Sequence, residues 1–195
     1  MKRSITALAI LIAAVACTGP PSESIRFEQV ALVAVPGGVA AQSLRHGPFR
    51  VDGMRASGFS HDALGAALAA THISPRITTA AGAAVSGPTL AEQCFGDIGA
   101  AQAALETALP LSDSPAGEDL TPVALHYRVI AGEPSGDHVV VSLLADTPQA
   151  RSQGGLSRVD TTLRWSGQDW QLRVPVRRPS LQPDTVGYAL LGPTS

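Results

Sequence analysis

Gly58-Phe59-Ser60-His61-Asp62-Ala63-Leu64-Gly65-Ala66-Ala67-Leu68-Ala69-Ala70-Thr71 joins a helix start signal to a run that has no polar face. Ser60 is placed to accept from the free backbone N–H groups of a first turn, and Asp62 sets a negative charge at the positive end of the helix dipole. From Ala63 to Ala70 the side chains are apolar and, apart from Leu64 and Leu68, small. No side of such a helix can face water, so it must be buried, and its small residues let a cover come close. Gly65 costs roughly 1 kcal/mol relative to alanine in a helix interior, which points to a close approach at that position. Ile73-Ser74-Pro75 is expected to end or kink the helix, because the proline ring disfavours helical geometry at Ser74.

The cover comes from the second half of the chain, where the period changes to two. In Val123-Ala124-Leu125-His126-Tyr127-Arg128-Val129 the odd positions are apolar, and His126 and Arg128 face the other way. His138-Val139-Val140-Val141-Ser142-Leu143-Leu144-Ala145 is the strongest strand-forming run. Val159 to Trp165 and Trp170 to Val174 follow, joined by Ser166-Gly167-Gln168-Asp169. The alternation predicts a four-stranded meander with Val159, Thr161, Leu163, Trp165, Trp170, Leu172 and Val174 on the covered face. Arg158, Asp160, Thr162, Arg164, Gln171 and Arg173 would lie on the open one.

Outward from these elements, Thr89-Leu90-Ala91-Glu92 has capping-box spacing. The helix it would open carries Leu90, Cys94, Ile98, Ala101, Leu105 and Leu109 on one face and is closed by Pro110. Thr79 to Pro88 reads as small and flexible, and residues 111 to 120 as a solvated loop. Ile25 to Val35 reads as a short strand or extended arm, stopped by Pro36-Gly37-Gly38. His46-Gly47-Pro48 and Val51-Asp52-Gly53 are turn chemistry. Two helices followed by a one-sided antiparallel sheet is an α+β layout, with helices packed across the inner face of a curved sheet.

The 195 residues carry enough apolar side chains, 45% of the total, for one sizeable core. From Cys17 onward, 12 arginines against 16 acidic residues give a charge of −4, and no basic cluster exceeds Arg177-Arg178. That balance argues against nucleic acid as a partner. Met1-Lys2-Arg3 followed by an apolar run from Ile5 to Ala16 has the form of an export signal, too short for a spanning helix of ~20 residues. Ala14-Val15-Ala16-Cys17 resembles the bacterial lipoprotein box, in which the cysteine becomes diacylated. The expected organisation is a signal peptide over 1–16, a tether over 17–26 with Cys17 lipidated, a domain over 27–175 and a tail over 176–195. Such a protein sits on the extracytoplasmic face of the cell membrane; ordinary cleavage after Ala16 would make it secreted, and a retained N-terminal anchor is the third possibility. Cys94, the second cysteine, falls on an apolar stripe and reads as a buried small hydrophobe.

Val35-Pro36, His46-Gly47-Pro48, Ala56-Ser57-Gly58-Phe59-Ser60-His61, Gly65 to Ala70 and Thr162 to Leu172 together resemble a family of uncharacterised actinobacterial exported or lipid-anchored proteins of conjugative elements. The helix-then-meander order, with a terminal hairpin carrying aromatics on both sides of its turn, resembles the cone of the nuclear transport factor 2-like fold. It is also similar to the periplasmic domain of an assembly component of type IV secretion systems. The resemblance supplies no catalytic residues; the export signal, the helix-sheet pattern and the absence of catalytic constellations lead to the expectation of a non-catalytic protein-binding component whose partners are envelope or transfer-apparatus proteins.

The residues themselves point the same way. No phosphate loop, dinucleotide glycine pattern, zinc spacing or nucleophile elbow occurs in the sequence, so no catalytic residue, metal or cofactor is expected. His61 and His72 are eleven apart, ~16 Å along a helix, too far to share one metal. Arg128, Arg158, Arg164 and Arg173 are candidates for a partner surface on the open sheet face, with Asp160 and Asp169 as neutralising neighbours in the alternative of a plainly solvated face. The enzymatic alternative is a small-ligand cone using Tyr127, Asp160 or His126, but alternation sends Tyr127 inward and the other two outward. The two tryptophans read as core or hairpin packing.

Overall fold

A computed structural model describes residues 30–108, 121–133 and 135–192. The export signal and the whole 17–26 tether, Cys17 included, lie outside these residues, as do Leu109, Pro110 and the 111–120 loop. The elements run β1 (Val30–Val35), β2 (Gly38–Ser43), β3 (Arg50–Val51), β4 (Ala56–Ser57), α1 (Ala63–Arg76), α2 (Ala83–Gln93), β5 (Cys94–Gly96) and α3 (Ile98–Ala108). There follow β6 (Ala124–Gly132), β7 (His138–Asp146), α4 (Pro148–Ser152), β8 (Leu156–Trp165), β9 (Trp170–Val174), β10 (Ser180–Gln182) and β11 (Ala189–Leu190).

The fold is mixed α and β around a mostly antiparallel sheet in the order β11-β6-β7-β8-β9-β5, with β10 on β8. No closed barrel forms among the described residues. Two small hairpins, β1–β2 and β3–β4, stand apart from it. The covered face is as alternation predicts: Thr161, Leu163, Trp170, Leu172 and Val174 are buried, and Val159 and Trp165 are half-buried. Against it lies α1, in which every residue from Gly65 to Ile73 is buried and Leu68 has no exposed surface. A Cβ at Gly65 would strike the Ser60 carbonyl oxygen, so the close approach belongs to the chain entering the helix.

The ends of α1 differ from the sequence expectation. Asp62, not Ser60, is the cap: its carboxylate accepts from Gly65 N–H at 2.7 Å. Pro75 neither ends nor breaks the helix, which runs on to Arg76. A proline in the last turn forfeits one ladder bond, to the carbonyl four residues back, with only Arg76 still to follow, and Thr78 closes that turn by donating through N–H and Oγ1 to the Pro75 carbonyl.

The expected 89–109 helix is two helices. Thr89 lies inside α2, its hydroxyl donating to the Val85 carbonyl, and the span read as flexible holds a 3-10 turn (Thr79–Ala81) and the first half of α2. The break is β5, which pairs in parallel with Leu172–Val174. Gly96 sits there at φ +103°, and a Cβ would meet the Val174 carbonyl oxygen. Asp97 then restarts the helix by accepting from Ala100 N–H at 2.9 Å.

The C-terminal segment docks at both of its strands. β10 pairs with the first half of β8, and β11 pairs with the outer edge of β6. Between them the chain passes the sheet face opposite α1, where the Tyr188 hydroxyl lies 2.9 Å from Ser142 Oγ.

Candidate functional site

Two concave regions flank the core. The first is an apolar cavity of about 490 Å³ between the C-terminal half of α1, α3 and the lower part of the sheet. Ala70, Thr71 and Ser74 line it from α1, Ala101, Ala104 and Leu105 from α3, and Leu125, Leu143, Ala145 and Val159 from the sheet. The segment Val174 to Arg177 forms another wall, and Arg177 is exposed there. On the α3 side the cavity wall is made largely of small residues, Ala101 and Ala104.

The second is a polar cleft of about 770 Å³ between the β3–β4 hairpin, the end of α2 and the β8–β9 turn. Arg55 pairs with Asp52 and Glu92 along it. Gln93, 8% exposed, donates through Nε2 to the Ala56 carbonyl at 2.7 Å, and its Oε1 has no hydrogen-bond partner. Phe49, Val51 and Met54 stand on the hairpin, 59%, 56% and 42% exposed.

The base of this hairpin is fixed to the core. The Asp169 carboxylate accepts from Gly58 N–H at 2.6 Å and Phe59 N–H at 3.2 Å, so it holds backbone and does not neutralise the arginine face. Trp170 Nε1–H donates to the Ser60 carbonyl at 2.9 Å, and the His61 ring stacks on Trp165 with centroids 4.3 Å apart. Both tryptophans are hairpin packing.

His46, Ser60 and Asp62 meet at the head of α1. Ser60 Oγ and Asp62 Oδ2 each lie 2.8 Å from His46 Nδ1. Both contacts fall on one ring nitrogen, so the two oxygens compete for it and are not opposite ends of a proton relay. Burial works to raise the Asp62 carboxyl pKa, but hydrogen bonds from Gly65, Ser60 and His46 outweigh it and hold the group below its ordinary value.

His72 and Arg76 form a buried pair on α1. His72 Nε2 lies 3.0 Å from the Ala41 carbonyl, and its Nδ1 lies 3.3 Å from Arg76 Nη1. Arg76, 1% exposed, spends its donors on the carbonyls of Met54 and His72. Burial, and next the Arg76 charge, push the His72 pKa down to about 4. Burial pushes the Cys94 thiol up to about 12, which leaves it a protonated, inert filler.

The four arginines share the sheet face away from α1, on β6, β8 and β9, but the face is not open around all of them. Arg128 lies over the Tyr188 ring of the C-terminal segment at 4.7 Å and is exposed. Arg158 is held by Asp160 and Ser142, with Nη2 to Oδ2 at 2.8 Å. Arg164 lies over Phe95 and donates to Gln171, while Arg173 is exposed. Tyr127 packs against the core, Asp160 is taken by Arg158, and His126 is half-buried on the opposite face, so the three do not converge. Among the described residues no group of three or more His, Cys, Asp or Glu is placed to hold a metal, and no helix is long and apolar enough to cross a membrane.

Residues 14–189 match the model of a family described as a domain of unknown function, DUF8175. This chain belongs to the DUF8175 family. No curated protein matches it, and no solved structure does. The DUF8175 match takes in the α1 stretch, the meander and β10.

Sequence reasoning missed both concave regions. The sequence marks the turn at Val51-Asp52-Gly53 and an extended approach over Arg55 to Phe59, which β4 occupies, but not the pairing of β4 with Arg50-Val51.

Proposed function

We propose that this DUF8175 protein is an exported, membrane-tethered, protein-binding component of a bacterial cell-envelope or conjugative apparatus, anchored through a lipid on Cys17. The helix-then-meander order supports a nuclear transport factor 2-like cone as its fold. The observation that carries the binding reading is the β3–β4 hairpin. Three large apolar side chains within six residues are exposed beside a cleft rimmed by charged groups, and the buried Gln93 Oε1 is unpaired there. Apolar anchors inside a polar rim are the anatomy of a protein interface, and a concentrated patch marks a contact where scattered apolar residues do not.

The test is cross-linking in intact envelopes. The wild-type chain should capture an envelope or transfer-apparatus protein, and Phe49→Ser with Val51→Ser should lose it while remaining in the membrane fraction. Cys17→Ser should release the chain from membranes. Recovery of the same cross-link from the hairpin variant would refute the role of this surface. A small-ligand role is the second reading, supported by the apolar cavity beneath α1; it shares no lining residue with the polar cleft.

A further inference from the structure

The cavity walls specify a class of ligand. Of the side chains that line it, all are apolar except Thr71, Ser74, Thr78, Ser157 and Arg177. At about 490 Å³ it falls in the lower half of the ~300–1,000 Å³ range of small-molecule sites, room for one flexible chain and not for a bulky headgroup as well. A space with this lining is poorly served by water, which needs two to four polar partners to be held.

Two polar features interrupt the wall. Arg177 is exposed and borders both this cavity and the polar pocket that holds Asp160; it makes no ion pair with a described residue, so its charge is open to an anion at the cavity's rim. Ser74 Oγ is enclosed and has no hydrogen-bond partner, a state that costs about 1–3 kcal/mol when nothing relieves it. A hydrocarbon alone would leave Arg177 unanswered; Ser74 Oγ, enclosed, is not within a ligand's reach.

We propose that the cavity binds a single-chain anionic amphiphile, its acyl chain between α1 and the sheet and its headgroup at Arg177. This rests on the small-ligand reading and not on the hairpin. The shared chemistry is one acyl chain with one anion, which a free fatty acid and a lysophospholipid both supply.

The test uses the full chain carrying Cys17→Ser, so that no acyl group of its own competes. Titration with cis-parinaric acid, a fatty acid that fluoresces in apolar surroundings, should give saturable emission that hexadecanoate displaces. Arg177→Gln should weaken carboxylate binding about three- to fivefold, the range for one exposed ion pair, and leave uncharged hexadecanol unaffected. Ala145→Phe, which fills the cavity from β7, should abolish binding of both; the Arg177 variant carries the test if that protein does not fold. Lysophosphatidylglycerol as a competitor separates the two sources: displacement by it alone, or by hexadecanoate alone, supports the proposal and assigns the headgroup. Binding of hexadecanol with no preference for the carboxylate would overturn the anionic ligand and leave an apolar-ligand site standing. No saturable binding of either probe would overturn both, and would show that the chain's own residues close the space.

Discussion

Lowering the pH from neutral to about 4 should destabilise this fold chiefly through His72, with His126, also held low by burial, adding in the same direction. Its Nδ1 faces the Arg76 guanidinium, which has only donors, so Nδ1 accepts and the ring proton sits on Nε2, donating to the Ala41 carbonyl. Adding a second proton would set N–H against N–H in a site with 1% exposed surface. That is why the pKa falls to about 4, against ~6.5 for a free imidazole. The folded pKa is the lower one, so the unfolded chain takes up the proton first and stability declines as pH drops from ~6.5 to about 4. At ~1.4 kcal/mol per unit the loss reaches about 3 kcal/mol. The charged group facing the ring is Arg76, on which Asp52, its own pKa below the ordinary value, acts in turn. Asp62, Asp146 and Asp160 are likewise held low; their contribution begins to fall only below about pH 5, so the decline between about pH 6.5 and 5 belongs to the histidines. Urea midpoints measured across the range should show the decline in wild type. His72→Gln, which keeps a donor for Ala41 and an acceptor for Arg76 but cannot titrate, should make it shallower. Equal slopes in the two proteins would refute the reasoning.

Other consequences are as direct. Leu68→Ala removes a fully buried side chain and should cost about 2–5 kcal/mol in equilibrium unfolding. Asp62→Ala should cost about 0.5–2 kcal/mol for the lost cap, read as a lower melting temperature. In a Cys17→Ser background the Cys94 thiol should resist a thiol reagent at mildly alkaline pH until denaturant is added, and reaction in the native state would contradict its burial.

What could be read from sequence followed the strength of its pattern. Ala63 to Ala70 has no alternative to burial, and the strict alternation in Val159 to Val174 admits one face, so α1 and the meander were legible. β2 was not: Gly38-Val39-Ala40-Ala41-Gln42-Ser43 has weak strand propensity, and contacts with α1 hold it, Ala41 N–H donating to Thr71 Oγ1. Cys94-Phe95-Gly96 fits a helical stripe as well as a strand, and only pairing with β9 decides against the helix. Pro75 misled because its effect depends on distance from the helix end. The cavity draws its walls from distant parts of the chain, which no local pattern reports. The arginine face was legible as a face, but not that Arg128 would lie over the Tyr188 ring of the C-terminal segment.

Amide hydrogen exchange tests the central claim, that an apolar helix is sheltered by the sheet of the second half. Ala66 to Ile73 and the strands β7 to β9 should exchange slowest and together, at rates set by global unfolding. Fast exchange across Ala66 to Ile73, while β7 to β9 stay protected, would contradict it.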